Sequence, residues 1–145
     1  MTPPDRPFAI GASIALLALE LLASSNSRAL GLSPMRLETR RGLLQVSNTS
    51  DRMMRVELQV FPQRQVQGRN TAALDALPPS EAEALIRLRP SVFRLGPGGS
   101  RVIPYSVGLA NQPFYVCGTS QQDLLQVRIC SRWLPSPSST PPKQP

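Results

Sequence analysis

The sequence predicts an all-β protein, a single β-sandwich of about seven strands. Three stretches carry that expectation. Met54, Val56, Leu58 and Val60 alternate with Met53, Arg55, Glu57, Gln59 and Phe61, the period-two pattern of a strand with one buried face. Leu85 to Val107 reads as strand, turn, strand, with Gly96-Pro97-Gly98-Gly99 as the turn, because Pro presets φ and Gly permits φ > 0. Phe114 to Ser120 and Leu124 to Leu134 read as a hairpin. No segment carries a helical period over any length, and no internal repeat is visible.

At the N-terminus, Phe8 to Leu22 is apolar except for Glu20 and follows a short tip containing Arg6. Ser27 and Ala29 then form a small-x-small pattern. Residues 1–29 are predicted to be a cleaved secretory signal peptide; the alternative, an uncleaved anchor, has some 15 apolar residues, few for a bilayer. Export favours oxidised cysteines, so Cys117 and Cys130 are expected to form a disulfide. If they pair directly across the hairpin, Phe114 faces Trp133, Tyr115 faces Arg132 and Val116 faces Ser131. Both sulfurs then lie on the more polar side, with Gln126, Arg128 and Arg132.

Residues 30–134 are predicted to be the folded domain. Leu30 to Glu38 and Leu43 to Ser47 read as strands, separated by a basic turn at Arg40-Arg41-Gly42. Asn48-Thr49-Ser50-Asp51 is a cluster of turn residues that bond nearby backbone. Pro62 to Pro79 is polar and reads as a long loop. Ser80 with Glu83 fits a capping box for one helical turn before the central strand. Pro104 within a strand predicts a sheet edge or a bulge. Residues 135–145, rich in Pro and Ser, are predicted to be a disordered tail.

The chain has 145 residues and a net charge of +7, carried by fifteen Arg and one Lys. Losing residues 1–29 removes two Arg and two acids and leaves that charge unchanged. Apolar residues make up 41 % but aromatics only 5 %, so the core is expected to be aliphatic. The charge suits a solvated basic face or an acidic partner. Nucleic acid is not expected as a partner, because no stacking aromatics interleave the arginines. With no His, oxidised thiols, scattered acids, no phosphate loop and no metal-ligand set, no catalytic residue, metal or cofactor is predicted.

Pro90-Ser91-Val92-Phe93-Arg94-Leu95-Gly96-Pro97-Gly98-Gly99-Ser100 resembles the middle of the N-terminal immunoglobulin-like domain of periplasmic pilus-assembly chaperones, the PapD-like superfamily. Ser33-Pro34-Met35-Arg36-Leu37 is similar to that family's first strand, and Val46 to Asp51 to its second strand and exit. The resemblance covers roughly residues 31–134, the first domain of a two-domain family, and implies a single immunoglobulin-like (PapD-like) sandwich. It also implies that Arg89-Pro90 matches a site often cis, and that Arg36 binds the C-terminal carboxylate of a pilus subunit. Leu125, Val127 and Ile129 resemble the strand that a chaperone adds to its client; the alternative is that they simply pack the core. Arg128 and Arg132 are the nearest counterparts of the family's basic residue on that strand. The function implied is an exported, periplasmic or secreted chaperone-like protein that binds pilin-like or coat-like subunits by β-strand addition. The alternative is a structural or adhesive envelope module whose basic face meets anionic lipid or polysaccharide.

Overall fold

In a computed structural model of the protein, residues 30–135 are described. The signal peptide expected at 1–29 and nearly all of the expected tail lie outside them. The elements are β1 (Leu30–Ser33), β2 (Arg36–Leu37), β3 (Arg41–Asn48), β4 (Met54–Val66), β5 (Arg69–Ala72), α1 (Pro79–Leu85), β6 (Ile86–Leu88), β7 (Val92–Leu95), β8 (Ser100–Val107), β9 (Phe114–Gln122) and β10 (Leu125–Trp133). One sheet has the order β1-β3-β8-β6. The other runs β2-β10-β9-β4-β5, with β7 also paired to β4.

The sandwich closes on aliphatic side chains, as the composition suggests. Leu44, Val46, Val56, Ile103, Phe114 and Val116 are fully buried. Each such side chain contributes about 1.5–3 kcal/mol relative to exposure. Met54, Val56, Leu58 and Val60 all point into this core, as the alternation requires. The opposite side of β4 is not wholly solvated, however. Phe61, Ala72, Tyr115 and Cys117 form a second, smaller buried cluster on the outside of the six-stranded sheet.

Four expectations are corrected. First, Leu30 to Glu38 is two strands: β1 pairs β3 in one sheet and β2 pairs β10 in the other, on either side of a cis Ser33-Pro34 bond. Second, the run before the Gly-Pro-Gly-Gly turn is split three ways. Leu85 ends α1, β6 pairs β8, and after the cis Arg89-Pro90 bond β7 joins β4 in the opposite sheet. The apolar residues on both sides of Pro90 reach the same core from different sheets, so hydrophobicity alone does not reveal the crossing. Third, Pro62 to Pro79 is a loop only over residues 73–78: β4 continues to Val66 and turns back through Gln67 and Gly68, both at positive φ, into β5. This hairpin extends past the sandwich, so its residues are polar on both faces. Fourth, the capping box does not form. Pro78 is the N-cap without a side-chain bond, and Pro79 takes the first helical position, where its missing N–H costs nothing.

Pro104 sits where β8 has run beyond the end of β6, so it faces a local edge while pairing Leu43 on its other side. The short helix is clamped to the end of β8: Gly108 N–H donates to Leu85 O at 2.8 Å and Leu109 N–H to Ala84 O at 3.0 Å. A Cβ on Gly108 would lie 2.6 Å from Ala84 O, a backbone atom with little freedom to move. Gly108→Ala is therefore expected to cost about 1–2 kcal/mol in chemical denaturation. Gly96→Ala, which meets no atom within 4 Å, should cost far less.

Candidate functional site

The site is the free edge of the six-stranded sheet. β10 pairs β9 along its whole length but meets β2 only at Arg132 and Trp133. From Leu125 to Ser131 its other edge has no strand partner among the described residues, leaving backbone N–H and C=O groups able to pair with an added strand. The core-facing side chains along this edge are Leu125, 72 % exposed, then Val127 and Ile129, half-buried against the core, then buried Ser131 and Trp133. Val127 and Ile129 thus pack the sandwich, while Leu125 stands free near the hairpin tip beside Leu124, which is 96 % exposed.

Two bonds fix the closed end of the edge. Ser131 Oγ donates to Pro34 O at 2.5 Å, and Arg132 N–H donates to Met35 O at 2.9 Å. The chain after Pro34 is thereby drawn onto β10, and Arg36 falls directly opposite Arg132 across a parallel pair. Neighbouring strands lie about 4.8 Å apart, so the two side chains leave the outer face from adjacent positions. Arg36 is exposed. Arg132 is half-buried: its guanidinium lies 5.8 Å from the Tyr115 ring centroid and donates to Gln63 Oε1 at 3.0 Å, and its Nε has no partner. The fold brings these two cations together although 96 residues separate them in sequence.

Arg128 belongs to a different place. It shares the outer face but lies over the Phe61 ring at 4.8 Å and donates to Ala73 O at 3.2 Å. Cys117 and Cys130 are bonded, in direct register across the hairpin, with Phe114 opposite Trp133 and Tyr115 opposite Arg132. The alternation of the hairpin and the cysteine spacing specify this register. The juxtaposition of Arg36 and Arg132 had no such signal, because it depends on the crossing at Pro34. Among the described residues no group of three His, Cys, Asp or Glu could hold a metal, and no helix is long and apolar enough to cross a membrane.

No protein-family model and no curated protein matches the chain. Solved structures do. The chain is similar to a chaperone–tip adhesin complex of CFA/I fimbriae biogenesis, at 14 % identity and a TM-score of 0.56, covering 75 % of this chain and 57 % of that one. It is similar to the class 5 fimbriae chaperone CfaA, at 15 % identity and a TM-score of 0.53, with the same coverages. It is also similar to the CupB2 chaperone of Pseudomonas aeruginosa, at 20 % identity and a TM-score of 0.51, covering 70 % of this chain and 53 % of that one. The sandwich therefore has the PapD-like immunoglobulin fold that the Pro90–Ser100 stretch resembles. All three of these structures contain a chaperone, and the chain spans little more than half the length of each.

Proposed function

We propose that this protein is an exported, chaperone-like binding protein that holds envelope or surface-assembly polypeptides by β-strand addition. Residues 1–29 would be removed on export, and residues 30–134 would do the binding. The observation that carries the reading is the unpaired edge of β10 from Leu125 to Ser131, ending at the side-by-side Arg36 and Arg132. A client strand would pair with the edge backbone, and its side chains would meet Leu125, Val127 and Ile129. Its terminal carboxylate would be gripped by Arg36, with Arg132 on the adjacent strand, since the fork geometry of a guanidinium suits a carboxylate. The partner is then a pilin-like or coat-like subunit, no cofactor is needed, and the site performs no catalysis.

The first test is co-purification of the mature protein from its native envelope under non-reducing conditions, with the partner identified by mass spectrometry. Stoichiometric recovery of an exported subunit is expected. With that client in hand, Arg36→Ala and Arg132→Ala should each weaken binding by about tenfold, the worth of one charge-assisted hydrogen bond, with thermal stability nearly unchanged for exposed Arg36. Unchanged affinity in both variants would remove the carboxylate role. Binding that collapses on raising salt, with no subunit recovered, would instead favour the basic-face envelope module.

A further inference from the structure

The outer face of the six-stranded sheet carries more positive charge than the edge site uses. Strand register places Arg36, Arg132, Arg128, Arg55 and Arg94 on this one face, with Glu57 as the acid among its strand residues. Arg55 and Arg94 are direct cross-strand partners, and both are exposed. Like charges opposite one another oppose sheet pairing, so the pair costs stability that an anionic partner would return.

Beside Arg128 the face is not flat. The chain after β5 crosses over the sheet, with Ala76 packed on the Phe61–Tyr115–Cys117 cluster. It leaves a groove of about 420 Å³ between itself and β10. The floor is Phe61 and Thr119, both buried. Gln59 and Gln126 bring amides to it, Asp75 a carboxylate, and Leu74, 68 % exposed, an apolar wall. The Arg128 guanidinium is held in place by the Phe61 ring at 4.8 Å and by Ala73 O, and one of its terminal nitrogens makes that bond while the remaining donors stay available.

We propose that this groove and the arginines around it bind an acidic polysaccharide of the uronic-acid type. Amides and a carboxylate in a concave site are the groups that recognise sugar hydroxyls. Arg128 would take the sugar carboxylate, and Arg55 with Arg94 would meet acidic residues farther along the chain. A lipid surface fits poorly, because Leu74 is the only exposed large apolar side chain in the groove to insert into it. The groove is lined by neither Arg36 nor Arg132 and lies on the sheet face rather than on the free backbone edge of β10, so this surface does not depend on the strand-addition reading.

The test is affinity electrophoresis of the full exported protein through gels containing polygalacturonate, with dextran gels as the neutral control. Retardation in polygalacturonate alone is expected. Arg128→Gln should weaken it by about tenfold, and Gln126→Ala should weaken it too with no change in charge. The double variant Arg55→Ala/Arg94→Ala should flatten its salt dependence. An intact Cys117–Cys130 bond and an unchanged circular dichroism spectrum serve as the folding control for each. No retardation, or retardation of the Arg128 and Gln126 variants equal to that of the parent, overturns the proposal. So does binding to phosphatidylglycerol vesicles without retardation by polygalacturonate.

Discussion

Asn48→Ala is expected to lower the unfolding free energy by about 2–4 kcal/mol, more than most single changes outside the hydrophobic core. Asn48 ends β3 and is 1 % exposed. Its Nδ2 donates to Arg52 O at 2.7 Å, to Gly96 O at 3.0 Å and to Leu95 O at 3.2 Å. Its Oδ1 accepts from Ser50 N–H at 3.0 Å and from Ser50 Oγ at 2.6 Å. Its own N–H donates to Gly99 O at 2.8 Å. One side chain therefore ties the turn between β3 and β4 to the turn between β7 and β8, joining the two sheets at one end. Alanine leaves carbonyls of both turns, and the Ser50 donors, without their partner in a place where water enters poorly. Asn48→Asp is the sharper test. It keeps the size and the acceptor but replaces the amide donor with an oxygen facing three carbonyls, so it should be at least as damaging as alanine at pH 7. Equilibrium urea unfolding measures both. An Asn48→Asp variant as stable as the parent would mean that the donor side of the network carries little.

Asn48 also marks where the sequence stops being readable. Its place in a turn cluster is evident from residue type alone, since Asn, Ser and Asp bond neighbouring backbone. Its bonds to Leu95 and Gly96, 47 and 48 residues away, are tertiary and leave no local trace. The same division runs through the fold. The β9–β10 hairpin is legible residue by residue because alternation and cysteine spacing agree on one register. The β4–β5 hairpin is not, because both of its faces are wet and no period survives; the one local signal is Gly68 as the second residue of a two-residue turn. The crossings at Pro34 and Pro90 are hidden for the opposite reason. Strands on either side bury their side chains in one shared core, so the apolar pattern continues while the chain changes sheet. Since Arg36 reaches Arg132 only through such a crossing, the candidate site was half legible. Arg36 and Arg132 each stood out by resemblance, and their adjacency emerged from topology.

Removing the disulfide with Cys117→Ser/Cys130→Ser should cost about 2–3 kcal/mol, the entropy of a short loop released into the unfolded chain. The two cysteines are 13 residues apart and join β9 to β10 at the middle of the hairpin. In a domain of this size that is a large share of the total stability, so a fall of several degrees or more in Tm is expected. Reductant should lower the parent's Tm by a similar amount and leave the double variant unmoved. The location of the bond separates its effect on stability from its effect on binding. It ties the side of β10 that faces β9, whereas the side open to a client strand is the opposite one. Strand addition needs that free edge to be straight and ordered, because a client pays less entropy to pair with a strand already held in register. The double variant, kept cold enough to remain folded, should therefore show faster amide exchange from Leu125 to Ile129 and weaker client binding. If client affinity rises instead, the bond restrains β10, and the strand works by bending toward its partner.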